Sequence, residues 1–194
     1  MKRIGIFGGT FDPIHIGHLT AAQLTLEKMR LDKIIFMPTS IPPHKEHKTM
    51  APARQRLNLM RLAIRGHPQM EVSDYEIQKG GISYSIDTIR YFKKKFKKDT
   101  ILYFIIGADL LKDLKTWRCI DEITRNVSFI VIHRPGFKKT RSQIHYHYVQ
   151  VPGMDVSSSF IRLRVMQGKS IRYFLPESLV KYIFKHRLYQ GSLV

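Results

Sequence analysis

Four short runs of apolar, mostly β-branched or aromatic residues fall at 3–7, 33–37, 101–106 and 127–132, each bounded by turn signals. Strands apolar on both faces belong in the middle of a layered structure, covered from both sides. Residues 70–73 and 145–151 extend the set with further strands. Between the runs lie helical patterns, roughly 17–30, 53–65, 84–96, 110–125, 158–167 and 176–185. Strand–helix alternation of this kind predicts an α/β fold, a doubly wound and mainly parallel sheet of the Rossmann-like type. The helices after the last strand read as a C-terminal helical subdomain. No repeat, low-complexity tract or internal boundary interrupts residues 1–194, which read as a single domain large enough to bury a core.

The junction after the first strand carries the densest chemistry. Residues 8–18 read Gly8-Gly9-Thr10-Phe11-Asp12-Pro13-Ile14-His15-Ile16-Gly17-His18. In an open α/β sheet, ligands bind outside the carboxyl ends of the strands. Gly8 and Gly9 let the backbone approach a bulky anion. The following helix start offers unpaired N–H groups and the positive end of a dipole, which suits a phosphate. With a helix beginning by Ile16, His15 and His18 share one edge of its first turn. Two imidazoles there can donate to phosphate oxygens and stabilise growing negative charge.

Composition sets outer limits. A single cysteine, Cys119, excludes an internal disulfide and points to a reducing, cytoplasmic setting. The first strand begins at the second residue, so no signal peptide is expected, and no apolar run approaches the roughly 18–20 residues of a membrane span. The formal charge of +18 suits either nucleic acid or polyanionic small molecules. Its densest cluster, at 90–98, interleaves lysines with Ile86, Ile89, Phe92 and Phe96 at helical spacing, the pattern of a solvated helix face. Among nine histidines no metal-ligand spacing stands out, Cys119 has no recognisable histidine partner, and no glycine–lysine phosphate loop is present.

Further candidates lie near other strand ends. The loop 38–52 is long, polar and proline-bearing, as functional lids often are, and its Pro42-Pro43-His44-Lys45 string offers two donors to a phosphate. Ser157-Ser158-Ser159 leads into an amphipathic segment as an N-cap and donor-rich helix start, with Arg162 on the same face as Ser158. The fourth strand ends in Ile105-Ile106-Gly107-Ala108-Asp109, where Gly107 admits a flat ring and Asp109 can accept ribose hydroxyls or cap a helix. Trp117, the sole tryptophan, is core or a stacking platform.

The string 8–18 resembles the opening of bacterial nicotinate-nucleotide adenylyltransferases, and His15-Ile16-Gly17-His18 resembles the His-x-Gly-His signature of the nucleotidyltransferase superfamily. The resemblance extends in order along nearly the whole chain, to the Leu188-Tyr189 ending. Pro42-Pro43-His44-Lys45 resembles an element that contacts ATP phosphates. Residues 155–162 resemble the family's Ile-Ser-Ser-Thr-x-x-Arg element, departing from it at Val156 and Ser159, where a hydroxyl is kept. Ser83-Tyr84-Ser85-Ile86-Asp87-Thr88 resembles a Ser-Tyr-Thr-x-Asp-Thr segment, with Ser85 in place of the usual threonine. The resemblance implies ATP contacts from Gly8, Gly9, Thr10, Phe11, His44, Ile106, Gly107, Ser157, Ser158 and Ser159, with Arg134 beside adenine. It implies that Trp117 stacks on a nicotinate ring, that Ser85 and the Arg118 amide hold its carboxylate, and that Asp109 belongs to the nucleotide site.

The expected reaction is in-line attack of a nicotinate mononucleotide phosphate oxygen on the α-phosphorus of ATP. That nucleophile is already anionic, so positioning and charge stabilisation dominate. His18 is assigned to the α-phosphate and transition state, His15 to the adjacent phosphates, and Lys45 and Arg162 to the leaving pyrophosphate. Mg²⁺ is expected to enter with ATP, held mostly by substrate and water. No nucleic-acid or membrane partner is expected, and homo-oligomerisation is left open. Three alternatives stand beside this reading: a pantetheine-phosphate adenylyltransferase, an adenylyltransferase preferring the nicotinamide nucleotide, and a basic nucleic-acid-binding protein whose binding would be salt-sensitive.

Overall fold

The computed structural model describes residues 1–42, 51–133 and 143–191. The chain runs β1 (Lys2–Gly9), α1 (Ile16–Lys28), β2 (Lys33–Pro38), α2 (Ala53–Ala63), β3 (Met70–Val72), α3 (Tyr75–Lys79), α4 (Ser85–Lys95) and β4 (Thr100–Gly107). It continues through α5 (Ile120–Asn126), β5 (Ser128–His133), β6 (Tyr146–Gln150), α6 (Ser158–Met166) and α7 (Glu177–Lys185). The six strands form one sheet in the order β3-β2-β1-β4-β5-β6. All five pairings are parallel, so the expected mainly parallel sheet is wholly so among the described strands. The chain winds outward from β1 through β2 to β3, then returns to the centre and winds the other way from β4. The switch point therefore lies between β1 and β4, and a crevice opens beyond their carboxyl ends at Gly9 and Gly107.

Alternation along the strands builds two cores. Ile34 and Phe36 of β2, Tyr103 and Ile105 of β4, and Ile130 and Ile132 of β5 face one side. Ile35 and Met37, Leu102, Phe104 and Ile106, and Phe129 and Val131 face the other. Ala21, Ala22 and Leu26 of α1 and Leu59 and Met60 of α2 cover the first face. Ile161 and Val165 of α6 and Leu179, Val180 and Ile183 of α7 join that cluster, so the C-terminal helices share the sheet's own core. Ile86, Ile89 and Phe92 of α4, with Ile123 of α5, cover the second face. Each buried Leu, Ile, Val, Phe or Met side chain among them contributes about 1.5–3 kcal/mol of burial. The lysines at 93–95 stay exposed in the last turn of α4, where they favour the helix dipole.

The helix expected over 110–125 does not form as one piece. Two short 3₁₀ turns, Ala108–Leu110 and Leu114–Thr116, precede α5. Leu111 and Leu114 are buried as the pattern requires, but Thr116 Oγ1 donates back to the Asp113 carbonyl at 2.8 Å. Trp117 then takes an extended conformation, and Cys119 turns left-handed at φ 56° to start α5. The apolar spacing was real; local side-chain-to-backbone bonding and the packing of Trp117 on the sheet broke the helix. The five-residue α3 was not expected from the sequence, being too short to show a period.

Candidate functional site

The glycine turn after β1 is shaped by Phe11. This residue holds φ 49°, an uncommon conformation for a non-glycine, and its ring folds back so closely that a Cβ on Gly9 would sit 2.9 Å from its Cζ. Phe11 is buried, edge-on to Phe7, Phe36 and His18 at centroid distances of 5.5, 5.7 and 5.1 Å. Its side chain forms the floor beneath His18. His15 is the N-cap residue of α1, and its ring lies 3.8 Å centroid to centroid from that of His18. His15 is buried and His18 is half-buried, so His18 is the ring with the greater access. The His15 backbone N–H donates to His18 Nδ1 at 3.3 Å. Acceptance at Nδ1 puts the proton of the neutral ring on Nε2, making that nitrogen its N–H donor. Gly17 is required by proximity: a Cβ there would come within 3.1 Å of the His15 ring. Its backbone N–H has no acceptor among the described residues, whereas that of Ile16 is taken by the Phe174 carbonyl at 3.0 Å.

A second helix start converges on the same turn. Ser157 caps α6 by accepting the Phe160 N–H at 3.1 Å. Ser158 Oγ donates to the Pro13 carbonyl at 2.9 Å. Arg162 donates to the Asp12 carbonyl at 2.7 Å and to Ser159 Oγ at 3.0 Å. All three serine hydroxyls are thus engaged within the protein, and only the first backbone N–H groups of α6, ahead of Phe160, are left as donors that could meet an anion.

Two residues outside the sequence-based set hold this corner together. Arg56 of α2 is 1 % exposed and donates to the carbonyls of Ala51, Thr10, Thr39 and Ser40 at 3.1, 2.8, 2.7 and 3.0 Å. It ties the glycine turn to both ends of the segment after β2. Burial pulls its pKa down from the ordinary arginine value, and the Asp12 charge opposes that. Tyr189, near the C-terminus, donates its hydroxyl to Asp12 Oδ1 at 2.7 Å. Burial, then the neighbouring Asp12 carboxylate, pushes this phenol far above its ordinary range, so it stays a donor. The signals in sequence were faint: an arginine within a helical pattern, and a tyrosine in a terminal dipeptide.

On the opposite side of the crevice, Trp117 packs edge-on against Phe104 and Phe129 at 5.9 and 6.2 Å. Arg118 is exposed and lays its guanidinium over the Tyr84 ring at 5.1 Å, beside Ser85 at the start of α4. The fold therefore brings the Ser85 and Trp117–Arg118 elements to one wall. Gly107 ends β4 half-buried, and a Cβ on it would overlap Asp109 Oδ1. Ile106 is buried in the sheet, and Asp109 is exposed. The segment after β2 is pinned to this wall: Ser40 N–H donates to Ser83 Oγ and Ser83 N–H to the Ile41 carbonyl, both at 2.9 Å. Ser83 and Thr88 in turn hydrogen-bond the buried Glu76 carboxyl. His44, Lys45 and Arg134 lie outside the described residues.

The match to known proteins covers this whole arrangement. The cytidylyltransferase-like family model spans residues 6–164. A protein of Moorella thermoacetica named probable nicotinate-nucleotide adenylyltransferase is 39 % identical over 98 % of this chain and 93 % of its own length. One of Geobacillus thermodenitrificans with the same name is 42 % identical over 97 % of this chain and 87 % of its own length. The chain belongs to the nicotinate-nucleotide adenylyltransferases of the cytidylyltransferase-like family. Its fold is that of the Plasmodium falciparum nicotinic acid mononucleotide adenylyltransferase solved with NaAD, at TM-score 0.79 and 22 % identity over the full length of both chains. As an adenylyltransferase fold it places the histidine pair and the α6 serines on one side of the switch point and Ser85 and Trp117 on the other. Among the described residues, no three or more His, Cys, Asp or Glu side chains gather in a metal-binding group, and no helix is long and apolar enough to cross a membrane.

Proposed function

We propose that this chain transfers the adenylyl group of ATP to nicotinate mononucleotide, giving nicotinate adenine dinucleotide and pyrophosphate in NAD biosynthesis. The observation that carries the reading is the convergence of two helix N-termini, α1 and α6, on the Asp12-Pro13 turn beyond the β1–β4 switch point. A triphosphate there would meet the Gly17 amide, the first amides of α6, the His18 ring and the Arg162 fork. A mononucleotide phosphate oxygen attacks the α-phosphorus, the bond to the β-phosphate bridging oxygen breaks, and pyrophosphate leaves with its charge held by Arg162. His18 donates from Nε2 to the α-phosphate as negative charge builds, and the His15 backbone N–H orients that ring through Nδ1. No general base is needed for an anionic nucleophile.

Ser85 and the Arg118 amide receive the nicotinate carboxylate, with Trp117 as the stacking surface. Lys45 and His44 act on the β- and γ-phosphates, Arg134 beside adenine, and Asp109 on the ribose. Mg²⁺ would enter with ATP as part of the substrate, held mostly by substrate and water, and would supply charge neutralisation to the phosphates. Residues 1–194 act as a single catalytic domain.

Pyrophosphate release with Mg·ATP, comparing nicotinate mononucleotide, nicotinamide mononucleotide and phosphopantetheine, tests the reading. Strong preference for the first is expected. Preference for the second would keep the chemistry and overturn the roles of Ser85 and Arg118; preference for the third would move the protein to coenzyme A synthesis.

A further inference from the structure

Asp12 is the only acid in the 8–18 string, and it is 2 % exposed. Its Oδ1 accepts two hydrogen bonds, from the Ala51 N–H at 3.0 Å and from Tyr189 Oη at 2.7 Å. Its Oδ2 is buried without a hydrogen bond and stands 3.7 Å from an Arg162 nitrogen. That nitrogen instead donates to the Asp12 backbone carbonyl at 2.7 Å. The carboxylate is thus hydrogen-bonded to the tyrosine, and its ion pair with the neighbouring guanidinium stays open at 3.7 Å, without a direct hydrogen bond. A carboxylate buried next to a cation will take that cation unless other donors satisfy it.

The chain invests strain in delivering this donor. Helix α7 ends with Arg187 left-handed at φ 50°, its N–H on Phe184 O at 3.2 Å and the Leu188 N–H on Ile183 O at 3.0 Å. This six-to-one closure normally takes glycine at the Arg187 position. Tyr189 follows, again left-handed at φ 63°. Two non-glycine residues in this region within three positions are costly, and persist where packing over-determines them. Here buried Leu188 anchors the turn and Tyr189 reaches the other end of the sequence.

We propose that Tyr189 is a positioning residue for adenylyl transfer: its hydroxyl satisfies Asp12 Oδ1 and so keeps the carboxylate from capturing Arg162, leaving that guanidinium to the leaving phosphates. This rests on the reading of Arg162 as a phosphate holder. The catalytic groups touch substrate; Tyr189 acts through Asp12 alone. In Tyr189→Phe the carboxylate loses one of its two donors, Oδ2 closes on Arg162, and the guanidinium is withdrawn from ATP.

The test is steady-state kinetics and direct Mg·ATP binding on five variants of the full chain. Tyr189→Phe is expected to raise KM and Kd for Mg·ATP about tenfold, the size of one hydrogen bond to a charged group, with KM for nicotinate mononucleotide unchanged. Tyr182→Phe removes another hydroxyl that docks the same C-terminal region, bonded to Asn58 at 3.0 Å and Gln55 at 2.5 Å and making no hydrogen bond to Asp12. It is expected to lower Tm comparably and to leave Mg·ATP binding unchanged. In an Asp12→Asn background, which keeps the Oδ1 acceptor and removes the charge, the Tyr189→Phe step is expected to have no further effect on Mg·ATP affinity. Arg162→Ala is expected to lose turnover. If Tyr189→Phe and Tyr182→Phe raise KM for Mg·ATP equally, or if the Tyr189 effect persists in the Asp12→Asn background, the hydroxyl is merely structural and the proposal fails. If Arg162→Ala turns over normally, the phosphate role of Arg162 fails first. If Arg162→Ala is impaired while Tyr189→Phe binds Mg·ATP normally, the positioning role alone is overturned.

Discussion

The backbone N–H of His15 donates to Nδ1 of His18 across 3.3 Å, with the two rings tilted by 31° at 3.8 Å. One histidine caps the helix and sets the tautomer of the other. The pair therefore works as one unit, with His18 presenting an N–H donor and His15 fixing its orientation.

Removing the His18 ring deletes that donor and little of the core. His18→Ala is expected to lower kcat about a hundredfold or more, in line with loss of one transition-state donor. Because His18 is only half-buried, the melting temperature should change little. Pyrophosphate release and a thermal melt on the same preparation check this; near-normal turnover would remove His18 from the mechanism.

Gly17 separates geometry from stability. Alanine is the better helix former by about 1 kcal/mol, yet its Cβ would stand 3.1 Å from the His15 ring. Gly17→Ala is expected to displace His15, lower kcat about tenfold and leave the fold at least as stable, since a small misplacement near the chemistry is costly. Full activity would show that the His15 stack has room to give.

Arg56 is predicted to be a stability residue with an activity consequence. Its four carbonyl partners need a planar fork, which an ammonium cannot reproduce. Arg56→Lys should leave at least one buried carbonyl unpaired, at about 1–3 kcal/mol, or a loss of several degrees in Tm. Arg56→Ala should cost more, about 3–5 kcal/mol by analogy with broken buried pairs. Denaturant melts of both variants give the ranking directly, and equal stability of Arg56→Lys and wild type would refute it.

Glu76 predicts a pH-dependent stability difference. Burial raises its pKa above the ordinary carboxylate range, opposed by hydrogen bonds from Ser83 and Thr88. The folded protein therefore binds this proton more tightly than the unfolded chain does. Well below the ordinary value the group is neutral in both states and costs nothing; the cost accumulates as pH rises through that value and up to the raised one. Glu76→Gln keeps an acceptor for both hydroxyls without the charge. Its Tm should exceed that of wild type at pH 7, by a margin that shrinks as pH falls toward about 4. Calorimetry of the two proteins across that range would show a constant margin if ionisation of Glu76 carried no cost.

Much of this protein was legible in its sequence because two physical periods are local. Continuous apolar runs at 33–37, 101–106 and 127–132 require burial on both faces, and they placed β2, β4 and β5 to within a residue or two. The glycine turn before His15 and the serines before Phe160 mark helix starts through short-range steric and hydrogen-bonding rules, and both starts are where they were expected. The break at 110–125 was not legible, because Trp117 leaves the helical path to pack on Phe104 and Phe129, residues of two different strands. The partners of Asp12 were hidden for the same reason. Ala51 is 39 positions away, Arg162 150 and Tyr189 177, and only the assembled sheet with α6 and α7 packed on its first face brings them within hydrogen-bond reach. Sequence by itself determined where the strands and the two helix starts beside the candidate phosphate-binding groups lie. Tertiary structure alone decided which of those groups are held ready, because a buried charge is positioned by every donor that packing places around it.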